Sequence, residues 1–341
     1  MTYLLRAARA DDLEAIYRMA KGTGGGFTNL PADRASLAGK LARTGAAFAR
    51  DDERVDDDLF FFVLENPHGK VCGTCQIFSR IGTTWPFYSY RLGAITQTSK
   101  ELGKTFRAET LTLSTDLDGA SEVGGLFLDP AERAAGSGAL LARGRYLFMG
   151  MHRARFAART IAELRGAVDE AGASPFWDGL GARFFGMSFR EADAFNAVNG
   201  NQFIADLMPK APIYTALLPE SARAVMGVPH NSGRAALKML ENEGFRYDAY
   251  IDIFDGGPTV TIDTDQIATI RTSHAAHVAE LRDDAALGDA PRALVAAGRL
   301  GTFRAAWAKV LAMDGGAVAL EAAAAARLAI GTGDTVHYAA R

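Results

Sequence analysis

The stretch 121–151, SEVGGLFLDPAERAAGSGALLARGRYLFMGM, constrains this chain more than any other. Its apolar run 123–128 is short enough for a buried strand, and Asp129 and Pro130 stop it, since proline removes a ladder donor. A turn of the form Arg133-x-x-Gly136-x-Gly138 follows, after which Leu140, Leu141, Leu147, Phe148 and Met151 recur at helical spacing. The glycines therefore stand where a helix begins. The first turn of a helix carries N–H groups without an i−4 partner and the positive end of the dipole, and glycine lets an anion approach them. Arg133 adds a charged donor. A Gly-x-Gly before a helix is, on its own, equally a tight turn without a ligand. Strand, bare turn and helix together describe an anion site.

Length and composition set looser bounds. A chain of 341 residues, 48% hydrophobic and 23% charged, can bury a sizeable core and is long enough for about two domains. A formal net charge of −3 without a long basic run argues against nucleic acid as a partner, because neutralising phosphates needs clustered Lys and Arg. The N-terminal stretch MTYLLRAARADDLEAIYRMA lacks a basic n-region and an uninterrupted apolar core, and no apolar run elsewhere approaches membrane-spanning length. A cytoplasmic protein with no membrane partner is the expectation. Cys72 and Cys75 form a C-x-x-C, which admits a redox pair or half a zinc site. The run 71–78 reads as a strand, however, in which residues three apart face opposite sides, no second Cys pair exists, and His68 is the only nearby histidine. Two reduced structural thiols and no metal follow. His274 and His277 form H-x-x-H without a third ligand in view and read as solvated side chains.

Taken in order, the pattern predicts a strand over 3–8 and a helix capped by Asp11, with Leu13, Ile16, Tyr17 and Ala20 on one face. The segment KGTGGGFTNLPA stacks Gly24, Gly25 and Gly26, and reads equally as a surface connection or as a loop over an acceptor site. A helical pattern returns over 33–49. The aspartate-rich 51–58 is a solvated turn, and 59–65 and 70–78 form a hairpin around Asn66-Pro67-His68-Gly69. Residues 85–93 are aromatic and strand-like, and 96–121 is a polar elaboration. A short strand is predicted over 160–166. The irregular 167–228 carries Trp177, Phe184, Phe185, Phe189, Phe195 and Phe203, too much apolar surface for a disordered linker, so it must pack. Ser232 is placed to cap a helix running to Glu243, with Ala236, Leu237 and Leu240 on one face and Gly244 after its end; a strand over 245–254 follows.

An apolar strand, R-x-x-G-x-G and an amphipathic helix resemble the coenzyme A pyrophosphate loop of the GNAT superfamily of N-acyltransferases; the dinucleotide G-x-G-x-x-G with its acidic ribose ligand is a different pattern. The helix ending ALKMLENEGF is similar to the last core helix of that superfamily. More specifically, KGTGGGFTNLPA, SEVGGLFLDP, AELRGAVDEAGASPFWDGLGARFF, MPKAPIYTALLP and ENEGFRYDAYIDIFDGGP together resemble the bacterial arginine N-succinyltransferase family, from about residue 3 to 258. Beyond 259 the resemblance thins into an alanine-rich run, 321–327, and a turn into a last strand near His337. The fold this implies is α+β: a GNAT-like mixed central sheet flanked by helices over 1–258, with 167–228 as an aromatic, helical insertion, and a small β-rich C-terminal region over 259–341.

The resemblance implies transfer of a succinyl group from succinyl-CoA, the co-substrate, to the α-amine of L-arginine. Such a reaction needs a base for the ammonium, donors for the tetrahedral oxyanion and a proton for the departing thiolate. By the same resemblance, the backbone around Leu126, Phe127 and Leu128 receives the acyl carrier, Arg133, Gly136 and Gly138 hold its pyrophosphate, and His230 is the proton donor. An imidazole near neutrality suits that role, although by position alone a histidine after proline at a helix start is equally a capping or surface residue. Glu122 is a rival or second base. Asp252, Asp255 and Arg165 are possible ligands for the arginine acceptor. Two other readings stay open: another CoA-dependent N-acyltransferase, with ornithine as acceptor or acetyl-CoA as donor, and a non-catalytic CoA- or amino-acid-binding protein. The aromatic insertion would suit a subunit contact in an oligomer.

Overall fold

The structure is a computed structural model that describes residues 2–22, 29–133, 136–169 and 171–340. The glycine run, read equally as a surface connection or a loop over an acceptor site, and Ala134 and Ala135 of the turn expected to bind an anion lie outside the described residues. In chain order the strands are β1 Leu4–Ala7, β2 Leu59–Glu65, β3 Val71–Phe78, β4 Ser89–Ser99, β5 Lys104–Ser114, β6 Ser121–Leu128, β7 Arg159–Glu163, β8 Ile213–Tyr214, β9 Arg246–Ile251, β10 Pro258–Asp263, β11 His274–Arg282, β12 Arg292–Ala297, β13 Arg304–Ala312, β14 Ala317–Glu321 and β15 Thr335–Ala340. The main helices are α1 Leu13–Gly22, α2 Arg34–Ala49 and α3 Ser137–Met151. The chain folds as two compact units: Met1–Ser79, Val123–Ala158 and Asp263–Arg341 form unit 1, and Arg80–Glu122 with Arg159–Ile262 form unit 2.

In unit 1, β1 pairs antiparallel with β2 and β2 with β3, whose other edge neighbours β6. The continuous apolar run of β2 follows from cover on both faces. Phe61 and Val63 pack with Ile16, Met19, Leu37 and Leu41, whereas Phe60 and Phe62 meet Phe148 of α3 with ring centroids 4.9 and 5.0 Å apart. The entry to α1 differs from expectation, because the carboxylate of Asp12, not that of Asp11, accepts from the Arg9 amide at 2.8 Å and from Arg6. Buried Arg6 needs countercharge, and of the two aspartates it is Asp12 that supplies it, beside Glu65 at 2.6 Å.

The C-terminal strands run in the order β12-β15-β11-β14-β13, and an added β12–β13 pairing closes these five into a barrel. So few strands leave little room inside, which small residues fill: Val278, Ala293, Val295, Ala306, Ala308 and Val318 are all buried there. The alanine-rich run forms the helix α4 Ala322–Leu328 against this barrel. Barrel and sheet are continuous, since β13 also pairs with β1 through Leu5↔Ala305.

In unit 2 the order is β7-β10-β9-β4-β5-β8, and β7 pairs in parallel with the first residues of β6 at Ser121↔Thr160 and Glu122↔Ile161. The polar elaboration is the second strand of a long hairpin, β4–β5, registered from Ser89↔Ser114 to Ser99↔Lys104. The aromatic insertion does pack: Phe176, Trp177, Leu180, Phe189, Ile204 and Met208 are buried with Tyr90, Leu111, Ile251 and Ile253. The strand predicted over 245–254 stops at Ile251, because Asp252 turns the chain by accepting from the Phe254 and Asp255 amides at 2.7 Å each. Likewise β7 stops at Glu163, short of Gly166, whose only ladder contact is an isolated bridge to Pro229.

Candidate active site

In unit 1 a candidate anion site is built from β6, the turn after it and the start of α3. Gly125 breaks the regular strand with a φ of +57°, and its carbonyl accepts from the Thr74 hydroxyl at 3.0 Å. A Cβ there would lie 2.6 Å from the Gln76 side chain, so the bend requires glycine. Past it Leu126, Phe127 and Leu128 are half-buried. The Asp129 amide donates to the Cys72 carbonyl at 2.9 Å, and the Asp129 side chain accepts from the Ala131 amide at 3.0 Å, which turns the chain at Pro130. Arg133 donates through Nε to the Leu128 carbonyl at 3.4 Å, which leaves the outer nitrogens of its guanidinium for a ligand.

Gly136 precedes α3 in the left-handed region, φ 81° and ψ 14°, and supplies no side-chain cap. Its carbonyl accepts from the Leu140 amide at 3.0 Å and from the Trp307 indole at 3.1 Å. The amides of Ser137, Gly138 and Ala139 then form the uncapped first turn, the arrangement suited to a phosphate. A Cβ built on Gly138 would touch only Leu128, at an ordinary 3.8 Å. The fold itself thus gives no reason for glycine at 138. Glu132, the nearby acid, is already engaged by the Tyr3 hydroxyl at 2.7 Å and the Asn66 amide at 2.9 Å, bonds that hold its carboxyl below the usual range. Buried Arg145 ties the helix back to the strand through the Gly124 carbonyl at 3.2 Å. Cys72 and Cys75 are buried free thiols on β3, each pushed up to about 12, chiefly by burial, and so protonated and unreactive.

Unit 2 has its own cluster of candidate residues, distant from one another in sequence. The His230 amide donates to the Arg165 carbonyl at 2.8 Å, next to the Gly166↔Pro229 bridge, so His230 is held to the exit of β7. Its half-buried ring places Nδ1 2.7 Å from the Ser232 hydroxyl and 3.2 Å from the Ser232 amide nitrogen, from which it accepts. Burial, and then the charge of Arg165, hold the imidazole below its ordinary pKa. Ser232 therefore does not cap the following helix, as its position suggested: a single turn, Asn231–Gly233, intervenes and the helix Arg234–Asn242 starts behind Gly233.

Around this exit stand Glu163, Asp252, Asp255 and buried Glu122. Part of the Glu163 residue stays open to solvent, yet its carboxyl is enclosed; lost hydration, and then the charges of Asp252, Glu122 and Asp255, raise it far above an ordinary glutamate. Among the described residues it accepts from the Thr259 hydroxyl at 3.4 Å. Asp252 is pushed up to about 8, by burial first and by Asp255 second. The two oxygens of Asp255 accept from the Gly166 amide at 2.7 Å and the Gly257 amide at 2.9 Å, clamping two main chains where neither glycine could carry a Cβ. Asp193, from the insertion, is also raised, by burial and then by Asp252. Arg165 is the cation whose charge acts on Asp255, Asp193 and His230. Sequence reasoning missed Glu163 and Asp193; the one available signal was a glutamate closing the otherwise apolar strand TIAE.

Among the described residues no group of three His, Cys, Asp or Glu could hold a metal ion, and no helix is long and apolar enough to cross a membrane. Residues 3–269 match the family described as arginine N-succinyltransferase beta subunit, and residues 276–340 match the C-terminal domain described for that subunit. An arginine N-succinyltransferase of Salmonella arizonae is 43% identical over 303 residues, 89% of this chain and 88% of that protein. One from Salmonella paratyphi B is similar to the same extent, 43% over 303 residues. Among solved structures, the arginine/ornithine succinyltransferase subunit AI from Pseudomonas aeruginosa matches with a TM-score of 0.89 and 33% identity, covering 99% of this chain and 98% of that one.

Proposed function

The chain belongs to the arginine N-succinyltransferase beta subunit family, an acyltransferase family, and from that premise we propose that it transfers succinyl from succinyl-CoA to the α-amine of L-arginine. The observation that carries the reading is the turn into α3. Gly136 in the left-handed region, a glycine at 138 that packing does not require, and the Arg133 guanidinium together suit the pyrophosphate of a CoA ester. In this reading the half-buried main chain of Leu126, Phe127 and Leu128 takes the acyl arm and supplies amide donors to the oxyanion.

The acceptor chemistry falls to the carboxylates of unit 2. A guanidinium or ammonium is a cation that burial among carboxylic acids would hold by ionising them, and Glu163 and Asp252 stand ready in that state. The carboxylate of Glu122 takes the ammonium proton. The freed amine attacks the thioester carbon and its nitrogen gives up a second proton as the C–S bond breaks, while the CoA thiolate takes one proton from His230; two protons leave nitrogen and one reaches sulfur, so one is released overall. Nothing in this scheme calls for a metal. A cytoplasmic location is part of the same proposal, because both substrates are soluble metabolites.

The test is thiol release from succinyl-CoA and from acetyl-CoA against a panel of amino acids, with mass spectrometry of the product. Succinyl-arginine with free thiol is the expected result, and no thiol release with any pair would overturn the proposal. Ornithine is the second acceptor to include, since the similar Pseudomonas aeruginosa protein is named an arginine/ornithine succinyltransferase subunit.

A further inference from the structure

We propose that Ser232 is a positioning residue for His230: its hydroxyl anchors Nδ1 and presents Nε2 as the nitrogen that exchanges a proton with the reacting groups. The inference rests on the reading of His230 as proton donor. Two hydrogen-bonding groups of one residue meet one ring nitrogen, with Oγ at 2.7 Å and the amide nitrogen at 3.2 Å. They are not equivalent. The amide can only donate, so it favours Nδ1 with a bare lone pair, whereas a hydroxyl donates or accepts according to the ring's state. The main chain of His230 is fixed as well, through the Arg165 carbonyl and the Gly166↔Pro229 bridge, so the ring has a defined pivot.

Proton donation needs both properties. In the imidazolium, Nδ1–H donates to Oγ and Nε2–H is available. Donation breaks the Nε2–H bond and forms the S–H bond of CoA, leaving a neutral ring with Nδ1–H still bonded to Oγ and a lone pair at Nε2. Without the hydroxyl, Nδ1–H would face only the amide N–H, and the charged form would be disfavoured. Burial and the Arg165 charge, which reaches the ring from the β7 side, already oppose that form. The hydroxyl is what offsets them.

Ser232 is exposed, so Ser232→Ala removes one oxygen without touching the core. The expected result is a fall in kcat of about tenfold, a part of what a general acid contributes, with KM for succinyl-CoA and the melting temperature unchanged. The alkaline limb of the kcat–pH profile should move to lower pH in Ser232→Ala and return in Ser232→Thr, which keeps a hydroxyl. In a His230→Ala background the same change should have no further effect. Wild-type kcat and profile in Ser232→Ala, beside an impaired His230→Ala, would overturn this inference alone. Full kcat in His230→Ala would overturn the proton-donor reading and this inference with it.

Discussion

Gly138→Ala separates what the turn does for the fold from what it does for a ligand, because the two effects have opposite sign. The built Cβ stands 3.8 Å from Leu128, an ordinary contact, and Gly138 lies in the first turn of α3 without a left-handed φ. Alanine is the better helix former by about 0.5–1 kcal/mol, so the folded state should be unchanged or slightly more stable, a rise of about 1–2 °C in melting temperature. The methyl group would occupy the space through which a pyrophosphate approaches the amides of residues 137–139. Lengthening two charge-assisted hydrogen bonds at about 1.5 kcal/mol each weakens binding by about 3 kcal/mol, roughly a hundredfold in Kd. Calorimetry of succinyl-CoA binding beside a melting curve measures both. Unchanged affinity with a well-folded variant would show that no phosphate meets that turn and would remove the main support for a CoA ester. Gly136→Ala is a poorer probe, since the left-handed backbone at 136 adds strain of about 1 kcal/mol or more of its own.

Other consequences are open to measurement. Asp252→Asn should raise KM for arginine about tenfold and leave KM for succinyl-CoA alone; because the wild-type carboxyl ionises near 8, cation binding must expel its proton, and arginine affinity should improve as pH rises through 7. A KM for arginine flat with pH would contradict this. His152 is buried and pushed down to about 4, chiefly by burial, while Nε2 accepts from the Leu300 amide at 3.3 Å. Its unfolded imidazole titrates near 6.5, so its contribution is complete above that pH and disappears as pH falls to about 4, at most about 3 kcal/mol; His152→Gln should flatten the melting temperature over that window relative to wild type. Arg155, 1% exposed, gives its charge to Asp58 at 2.9 Å and to the Arg50 carbonyl at 2.7 Å. Asp58→Ala strands that charge and should destabilise unit 1 by about 3–5 kcal/mol; a melting temperature close to wild type would show that the pair is hydrated.

What the sequence determined by itself is local. A short apolar run, Pro130, a glycine pair and a helical repeat lie within one stretch of chain, so the strand β6 and the helix α3 were legible in that order. Burial of the aromatic insertion was legible too, because so much apolar surface has no stable alternative to packing. Only the tertiary structure decided the rest. Closure of the C-terminal strands depends on β12 meeting β13 as well as β15, a pairing that alternating alanine and valine permit but do not name. The clamp that Asp255 makes was not legible, since its partners Gly166 and Gly257 meet only when two main chains cross. Ser232 looked like a helix cap and became the partner of His230, because one intervening turn moved the helix start past it. Glu163 and Asp252 acquired their raised pKa values from burial beside other carboxylates. Periodicity reports which face of an element is buried; which charges share that burial is set by contacts between segments far apart in the chain.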